Sequence, residues 1–187
     1  GRMSEYRIAS RYAKSLLDLS VEKGTLEEVN KDMQLLSETA EESRDLVMML
    51  KSPIITHDKK LAVLKKVFEG KVSELTMSFF TILTKKQREA YLVAVAEEFH
   101  HQYNAHKGIE EATVTTTFPL TDALRKEFES VVEKITSRKV ELTEKVNEAL
   151  IGGFILKIGD RQIDDSVSSK LKALRVEFTK NHYEKAF

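Results

Sequence analysis

The stretch of residues 152–167, GGFILKIGDRQIDDSV, is the part of this chain that decides what kind of protein it is. It holds three of the chain's seven glycines, namely Gly152, Gly153 and Gly159, and Asp160 follows the last of them. Glycines grouped in this way either form a loop that cradles a phosphate or allow a backbone to approach its neighbours closely. The first possibility would favour an enzyme and the second a structural element.

The pattern around these glycines is typical of a hairpin. A P-loop needs Gly-Lys-Ser/Thr before a helix, and a dinucleotide-binding fingerprint needs Gly-x-Gly-x-x-Gly between a strand and a helix, but neither is present. Phe154, Leu156 and Ile158 alternate as they would on one face of a strand, and Gly159-Asp160 is a tight-turn signal. We therefore interpret the paired glycines as a place where the backbone bends or approaches another segment closely. Residues 164–166 are predicted to cap the last helix.

The residues before this stretch have helical periodicity almost throughout. Apolar residues recur at steps of three and four, which predicts six helices joined by short turns between residues 3 and 106. Gly24 ends the first helix, and Thr25 is expected to cap the second in a capping box with Glu28. Thr56 and Ser73 are predicted N-caps of the fourth and fifth helices.

The pattern changes near residue 108, and residues 109–187 are predicted to form a second domain. Residues 111–118 and 140–146 are rich in strand-forming side chains, and Thr121 is expected to cap a helix between them. The hairpin and a last helix follow, so this domain is a small α+β unit. The predicted fold class is mainly α, with an N-terminal six-helix bundle followed by a small α+β C-terminal domain.

Composition excludes several classes of protein. The chain has no cysteine, which excludes disulfides and zinc–thiolate sites. Its 30 basic and 30 acidic residues cancel, which argues against a nucleic-acid partner. No apolar run reaches the roughly 18 residues of a membrane span, so no direct membrane insertion is expected, nor is a signal or transit peptide.

No motif predicts a catalytic, cofactor-binding or metal-binding residue. His100, His101 and His106 are spaced so that they do not share one helical face, and no Gly-x-Ser-x-Gly element is present. Acidic pairs such as Glu97-Glu98 are adjacent in sequence, and adjacent side chains on a helix point apart. An enzyme whose site assembles from distant positions stays open as an alternative.

The first and fifth helices carry more apolar residues than one core-facing stripe requires. Two explanations are open: both helices lie centrally in the bundle, or part of their surface forms a groove for a partner helix. The residues concerned include Tyr12, Leu16, Phe79 and Ile82, with the small Ser78 beside them.

Two segments resemble a known family. Residues 9–20, ASRYAKSLLDLS, resemble the opening helix of the delta subunit of F-type ATP synthase, which in mitochondria is the oligomycin-sensitivity-conferring protein. Residues 150–167 resemble that family's C-terminal signature, and the resemblance extends over residues 3–178. The family commonly has glycine where this chain has Asp165, which concerns only the turn into the last helix.

The resemblance implies a non-catalytic stator subunit without a cofactor. It implies that the N-terminal domain holds the N-terminal helix of an alpha subunit, and that the C-terminal domain meets the b subunits of the peripheral stalk within residues 142–178. It also implies one copy per complex, a monomer in isolation, and a peripheral location on the cytoplasmic side of a bacterial plasma membrane. The groove residues implied are Tyr12, Ser15, Leu16, Ser78, Phe79 and Ile82. The alternative is a generic helical adaptor that binds an amphipathic helix of some other partner.

Overall fold

The computed structural model describes the backbone of residues 2–186 and the side chains of residues 2–180. Within these residues the chain divides into two compact units, one ending at Tyr103 and one beginning at Asn104. The fold is mainly helical with one small sheet, as the sequence predicts. In chain order the elements are α1 (Arg2–Glu22), α2 (Leu26–Glu42), α3 (Arg44–Lys51), α4 (His57–Phe68), α5 (Glu74–Lys85), a 3-10 turn (Glu89–Tyr91), α6 (Leu92–Lys107), β1 (Ile109–Thr116), α7 (Asp122–Thr136), β2 (Lys139–Val146), β3 (Phe154–Ile158), β4 (Arg161–Ile163), a second 3-10 turn (Asp165–Val167) and α8 (Ser169–Ala186).

Three of the four predicted threonine and serine caps are confirmed, and one is wrong. The side chains of Thr56, Ser73 and Thr121 each accept a hydrogen bond from the amide three residues on. Thr25 precedes α2 but makes no such bond, because its backbone (φ −119°, ψ 20°) lies outside the extended region that a side-chain N-cap requires. Its hydroxyl oxygen is instead buried without a hydrogen-bond partner among the described residues, so the predicted capping box with Glu28 does not form.

The first unit has a core built from the inward faces of its helices. Phe68 on α4 and Phe80 on α5 are both fully buried, and their rings meet edge to face with centroids 5.5 Å apart. Such aromatic contacts add to the stabilisation from apolar burial. The other large, fully buried side chains of this core include Leu16, Met33, Leu36, Leu50, Leu64, Leu83, Leu92 and Phe99.

The second unit is a four-stranded sheet in the order β2-β1-β3-β4, packed against α7 and α8. β1 pairs in parallel with β2 and antiparallel with β3, and β3 pairs antiparallel with β4. α7 makes the crossover that a parallel pair requires. Phe128 on α7 and Phe178 on α8 both contact the ring of Phe154 on β3, edge to face, at 4.9 Å and 6.1 Å.

One of the paired glycines, Gly153, lies against α8, which is the close approach that the hairpin interpretation expects. Gly153 has φ +88°, and a Cβ atom there would lie 3.0 Å from the Thr179 hydroxyl oxygen and 3.5 Å from the Phe178 ring. Gly159 has φ +60° with open space around it, and with Asp160 it connects β3 to β4. The stretch is therefore a packed hairpin preceded by a glycine bend that lies close to α8, and it is not a phosphate-binding loop.

The cap of the last helix lies at Ser168, two residues beyond the predicted 164–166. Asp164 accepts a hydrogen bond from the Ser166 amide (2.7 Å), but this caps the short 3-10 turn rather than α8. The hydroxyl of Ser168 accepts from the Leu171 amide (3.3 Å) at the start of α8. The acidic pair followed by serine therefore supports an extra turn that hydrophobic periodicity does not reveal.

Replacing Gly153 with alanine is expected to destabilise the second unit by about 2–3 kcal/mol, because a side chain at positive φ costs about 1–2 kcal/mol and the new Cβ also crowds Thr179. Gly159→Ala is the matched control, since it has positive φ but open space, and about 1 kcal/mol is expected. Urea unfolding followed by circular dichroism measures both. Equal losses in the two variants would show that the approach to α8 contributes nothing.

Candidate functional site

The structure brings the predicted residues of α1 and α5 together. The rings of Tyr12 and Phe79 meet at 6.5 Å between centroids with an interplanar angle of 70°, and both side chains are half-buried. Ser15 on α1 and Ser78 on α5 are exposed. Ile82, one turn beyond Ser78, is 49% exposed. An aromatic pair flanked by an exposed isoleucine and two small residues forms a surface that another apolar helix can contact.

α5 presents apolar side chains in two directions, which is why its periodicity left two explanations open. Phe80 and Leu83 are fully buried in the core, whereas Ile82 lies between them in sequence and points outward. On α1, Leu16 is only 2% exposed and belongs to the same core. Leu16 therefore supports this surface from beneath, while Tyr12, Phe79 and Ile82 lie at it.

Two guanidinium groups lie against the Tyr12 ring. The central carbon of Arg11 is 5.9 Å from the ring centroid and that of Arg88 is 5.6 Å away. Within the described residues neither guanidinium has a carboxylate partner. The surface therefore combines apolar side chains with positive charge, which favours an apolar partner that also carries acidic groups.

The outer side of α5 also borders a surface cavity of about 690 Å³. It lies between α5 and the turn that connects it to α4. Its lining residues are Glu69, Gly70, Val72, Glu74, Met77, Ser78, Thr81 and Ile82.

A buried carboxylate holds the N-terminus of α5 in place. One oxygen of Asp32 accepts hydrogen bonds from the Ser73 amide (3.0 Å), the Ser73 hydroxyl (2.7 Å) and the Thr76 hydroxyl (2.7 Å). Asp32 is 6% exposed and lies on α2, about forty residues away in sequence. No sequence pattern points to this contact, because Asp32 appears as an ordinary polar position of an amphipathic helix.

A buried ion pair fixes the 3-10 turn that follows α5. Lys60 donates to the Glu89 carboxylate (3.0 Å) and to the Leu50 carbonyl (2.9 Å), and the ring of His57 lies 2.6 Å from the same carboxylate oxygen. Burial alone would raise the pKa of Glu89. Hydrogen bonds from its own backbone, Lys60 and His57 outweigh burial, so the pKa of Glu89 lies below its ordinary value.

Arg175 organises the second unit, and nothing in the sequence distinguishes it from the other basic residues of the last helix. Its guanidinium donates to the carbonyls of Gly152 (2.6 Å) and Phe154 (2.7 Å) and pairs with Asp165 (2.8 Å). It also lies over the Phe154 ring at 4.0 Å. Asp165 is thus part of the contact that ties the glycine bend to α8.

The region expected to meet the stalk carries exposed apolar side chains. Ile151 is 95% exposed and Val176 is 67% exposed, although both belong to a unit with a well-filled core. Val146 and Val167 are about half exposed in the same unit. Among the described residues, every helix is too short or too polar to cross a bilayer.

Comparison with known proteins gives a consistent set of relatives. The sequence model of the family described as "ATP synthase delta (OSCP) subunit" matches residues 8–178. ATP synthase subunit delta of Cytophaga hutchinsonii is 45% identical over 177 residues, which is 95% of this chain and 97% of the relative. The Amoebophilus asiaticus protein of the same name is 35% identical over 96% of this chain and 98% of its own length.

A solved structure has the same fold. One chain in the cryo-EM structure of the Toxoplasma gondii mitochondrial ATP synthase hexamer matches with a TM-score of 0.71. The match covers 90% of this chain and 96% of that chain at 22% identity.

Proposed function

This chain belongs to the ATP synthase delta (OSCP) subunit family, and from that membership we propose which of its surfaces hold its partners. Members of the family are stator components, which makes this protein a non-catalytic subunit of F-type ATP synthase. We propose that its first unit binds the N-terminal helix of an alpha subunit of the catalytic hexamer. The second unit binds the b subunits of the peripheral stalk.

The exposed Ile82 beside the Tyr12–Phe79 pair is the observation that carries the first part of the proposal. A large aliphatic side chain that is 49% exposed gains stabilisation when a partner covers it. The small side chains of Ser15 and Ser78 let a helix approach this surface closely. Arg11 and Arg88 add positive charge at the same place, which suits a helix with apolar residues on one face and acidic residues at its edge.

The function that follows is mechanical. Torque from the rotor would turn the catalytic hexamer unless a stator holds it, so the link must dissociate slowly and have little slack. Burying ~400 Å2 of apolar surface at ~25 cal/mol per Å2 would supply ~10 kcal/mol before the entropic cost of association. Such an interface needs a preformed surface, and two contacts support it: Asp32 fixes the start of α5, and Glu89 fixes the 3-10 turn that follows α5.

The second part of the proposal concerns residues 142–178. The exposed side chains of Val146, Ile151, Val167 and Val176 suit an apolar contact with the stalk. One copy of the protein then connects hexamer and stalk. It is a peripheral component on the cytoplasmic side of a bacterial plasma membrane, held there through the complex.

Calorimetric titration of the alpha-subunit N-terminal peptide into the full-length protein tests the proposal. We expect one-to-one binding with a negative heat-capacity change, because apolar surface is buried. A peptide of the same composition with its apolar residues scrambled is the control, and it should release no heat of binding. Absence of binding to folded protein would remove the alpha-helix assignment and favour the adaptor alternative, in which a different amphipathic helix occupies the same surface.

A further inference from the structure

The first unit contains a second cavity, away from α1 and α5. Its volume is about 490 Å³, within the range of pockets that hold small organic ligands. α2 and α6 form its two long walls, and Val47 of α3 closes one end. The lining residues are Asn30, Met33, Gln34, Ser37, Glu38, Ala40, Glu41, Val47, Val93, Ala96, Glu97, His100 and His101.

The cavity exists because short side chains face each other across the seam between α2 and α6. The small side chains of Ser37 and Ala40 on α2 and of Ala96 on α6 leave this space open. Met33 and Ala96 are each 1% exposed, so the floor of the cavity is closed and apolar. Space of this kind next to a packed core forfeits dispersion contacts unless something occupies it.

Asn30 supplies an unsatisfied polar group in this wall. It is 7% exposed, and its side-chain carbonyl oxygen has no hydrogen-bond partner among the described residues. A buried acceptor left without a donor costs about 1–3 kcal/mol. That oxygen has almost no accessible surface, so a ligand in the cavity donates to it only after the Asn30 side chain rotates toward the cavity.

Carboxylates predominate among the ionisable side chains that line the cavity, and its basic side chains are the two histidines His100 and His101. Glu38, Glu41 and Glu97 stand at its rim, and no lysine or arginine is among the described residues that line it. Within the described residues these three carboxylates form no hydrogen bond or ion pair. An apolar floor, an acceptor in the wall and three carboxylates at the rim together select a ligand with an apolar body and a positively charged hydrogen-bond donor.

We propose that the cavity between α2 and α6 is a binding site for a small organic cation, an ammonium or guanidinium group on an apolar body. The apolar body lies on Met33 and Ala96, and the charged head lies toward Glu41 and Glu97. This site is separate from the surface proposed to bind the alpha-subunit helix. The proposal therefore does not depend on the alpha subunit being the partner of that other surface.

Three probes of one shape test the charge selection. Phenylbutylamine is positively charged, phenylbutanol is neutral and phenylbutyrate is negatively charged, with the same apolar body. We expect the amine to bind the full-length protein with a dissociation constant on the order of 1 mM, and the alcohol about tenfold more weakly. The butyrate should not bind. Methyl NMR spectra of Val47, Val93 and Ala96 report binding and place it.

Matched variants test the residues. Removing two rim charges with Glu41→Gln and Glu97→Gln should weaken the amine about tenfold and leave the alcohol unchanged. Glu42→Gln is the control, because Glu42 is an exposed neighbour on α2 that does not line the cavity. Ser37→Leu, which places a large side chain where the apolar body would lie, should weaken binding of amine and alcohol alike.

Three results would overturn the proposal. Equal affinity for amine and alcohol would show that the cavity does not select for positive charge. Chemical shift changes confined to methyl groups outside the cavity would show that the amine binds elsewhere. No chemical shift change with the amine at concentrations well above the expected dissociation constant would show that the amine does not bind. None of these results would bear on the surface proposed to bind the alpha-subunit helix, because the peptide titration tests that surface independently.

Discussion

Replacing Ile82 with glutamate is expected to weaken binding of the alpha-subunit peptide by about 100-fold or more, while the protein stays folded. Ile82 is 49% exposed in the free protein, so a glutamate there keeps its hydration until a partner covers it. In the complex the same carboxylate would lie against an apolar helix without a counter-charge. Calorimetry measures the affinity, and urea unfolding should show a free energy of unfolding within about 0.5 kcal/mol of the wild type.

Two further substitutions serve as controls for Ile82→Glu, one at an exposed position and one at a buried position. Val63→Glu places the same charge on a 38% exposed position of α4 that lies outside the proposed surface, and it should leave peptide affinity unchanged. Leu83→Glu, one residue after Ile82, should unfold the unit, because Leu83 is fully buried. Full peptide affinity in a folded Ile82→Glu protein would place the peptide elsewhere, and unfolding of that variant would make Ile82 a core residue.

Replacing Lys60 with methionine is expected to destabilise the first unit by about 3–5 kcal/mol at neutral pH, since the Glu89 carboxylate would then be buried without its cation. Lys60 is 3% exposed and Glu89 2% exposed, and one Glu89 oxygen already lacks a hydrogen-bond partner among the described residues. The loss includes the bond from Lys60 to the Leu50 carbonyl, so the end of α3 loosens as well. Chemical denaturation at pH 7 measures the effect.

The destabilisation caused by Lys60→Met should become smaller as the pH falls, because it depends on the Glu89 carboxylate being ionised. The pKa of Glu89 in the folded wild type is below the ordinary 4.5, so its contribution to stability is present above that pH. This contribution is lost as pH falls from 4.5 through the lower, folded-state pKa. The difference between wild type and variant should therefore be largest near neutral pH and should shrink in acid.

Lys59→Met is the matched control for this prediction. Lys59 precedes Lys60 on α4 but is exposed, so its replacement should change stability by less than about 0.5 kcal/mol. A Lys60→Met protein as stable as the control at pH 7 would mean that the buried pair is energetically neutral. A destabilisation that grows in acid would mean that Glu89 is not the group that Lys60 compensates.

Local signals in the sequence predict most of the helices and strands. Thr56, Ser73 and Thr121 are caps in the structure because a cap is decided by a side chain and an amide three residues away. Thr25 has the same signature and does not cap, since the path of the chain between α1 and α2 imposes a backbone angle that the side chain cannot overcome. The glycine stretch was likewise interpretable locally, because positive φ and a tight turn are properties of a few consecutive residues.

The sequence alone determined that the protein is mainly helical, that its second part is an α+β unit, and, through family resemblance, that it is a stator subunit. Only the tertiary structure decided that Leu16 is buried while Ile82 is exposed, because both are apolar positions on helices with wide apolar stripes. It alone decided that Asp32, Glu89 and Arg175 are the polar side chains that hold α5, the 3-10 turn and the hairpin in place. The physical reason is that these contacts join residues distant in sequence, and periodicity records only how each helix presents its own faces.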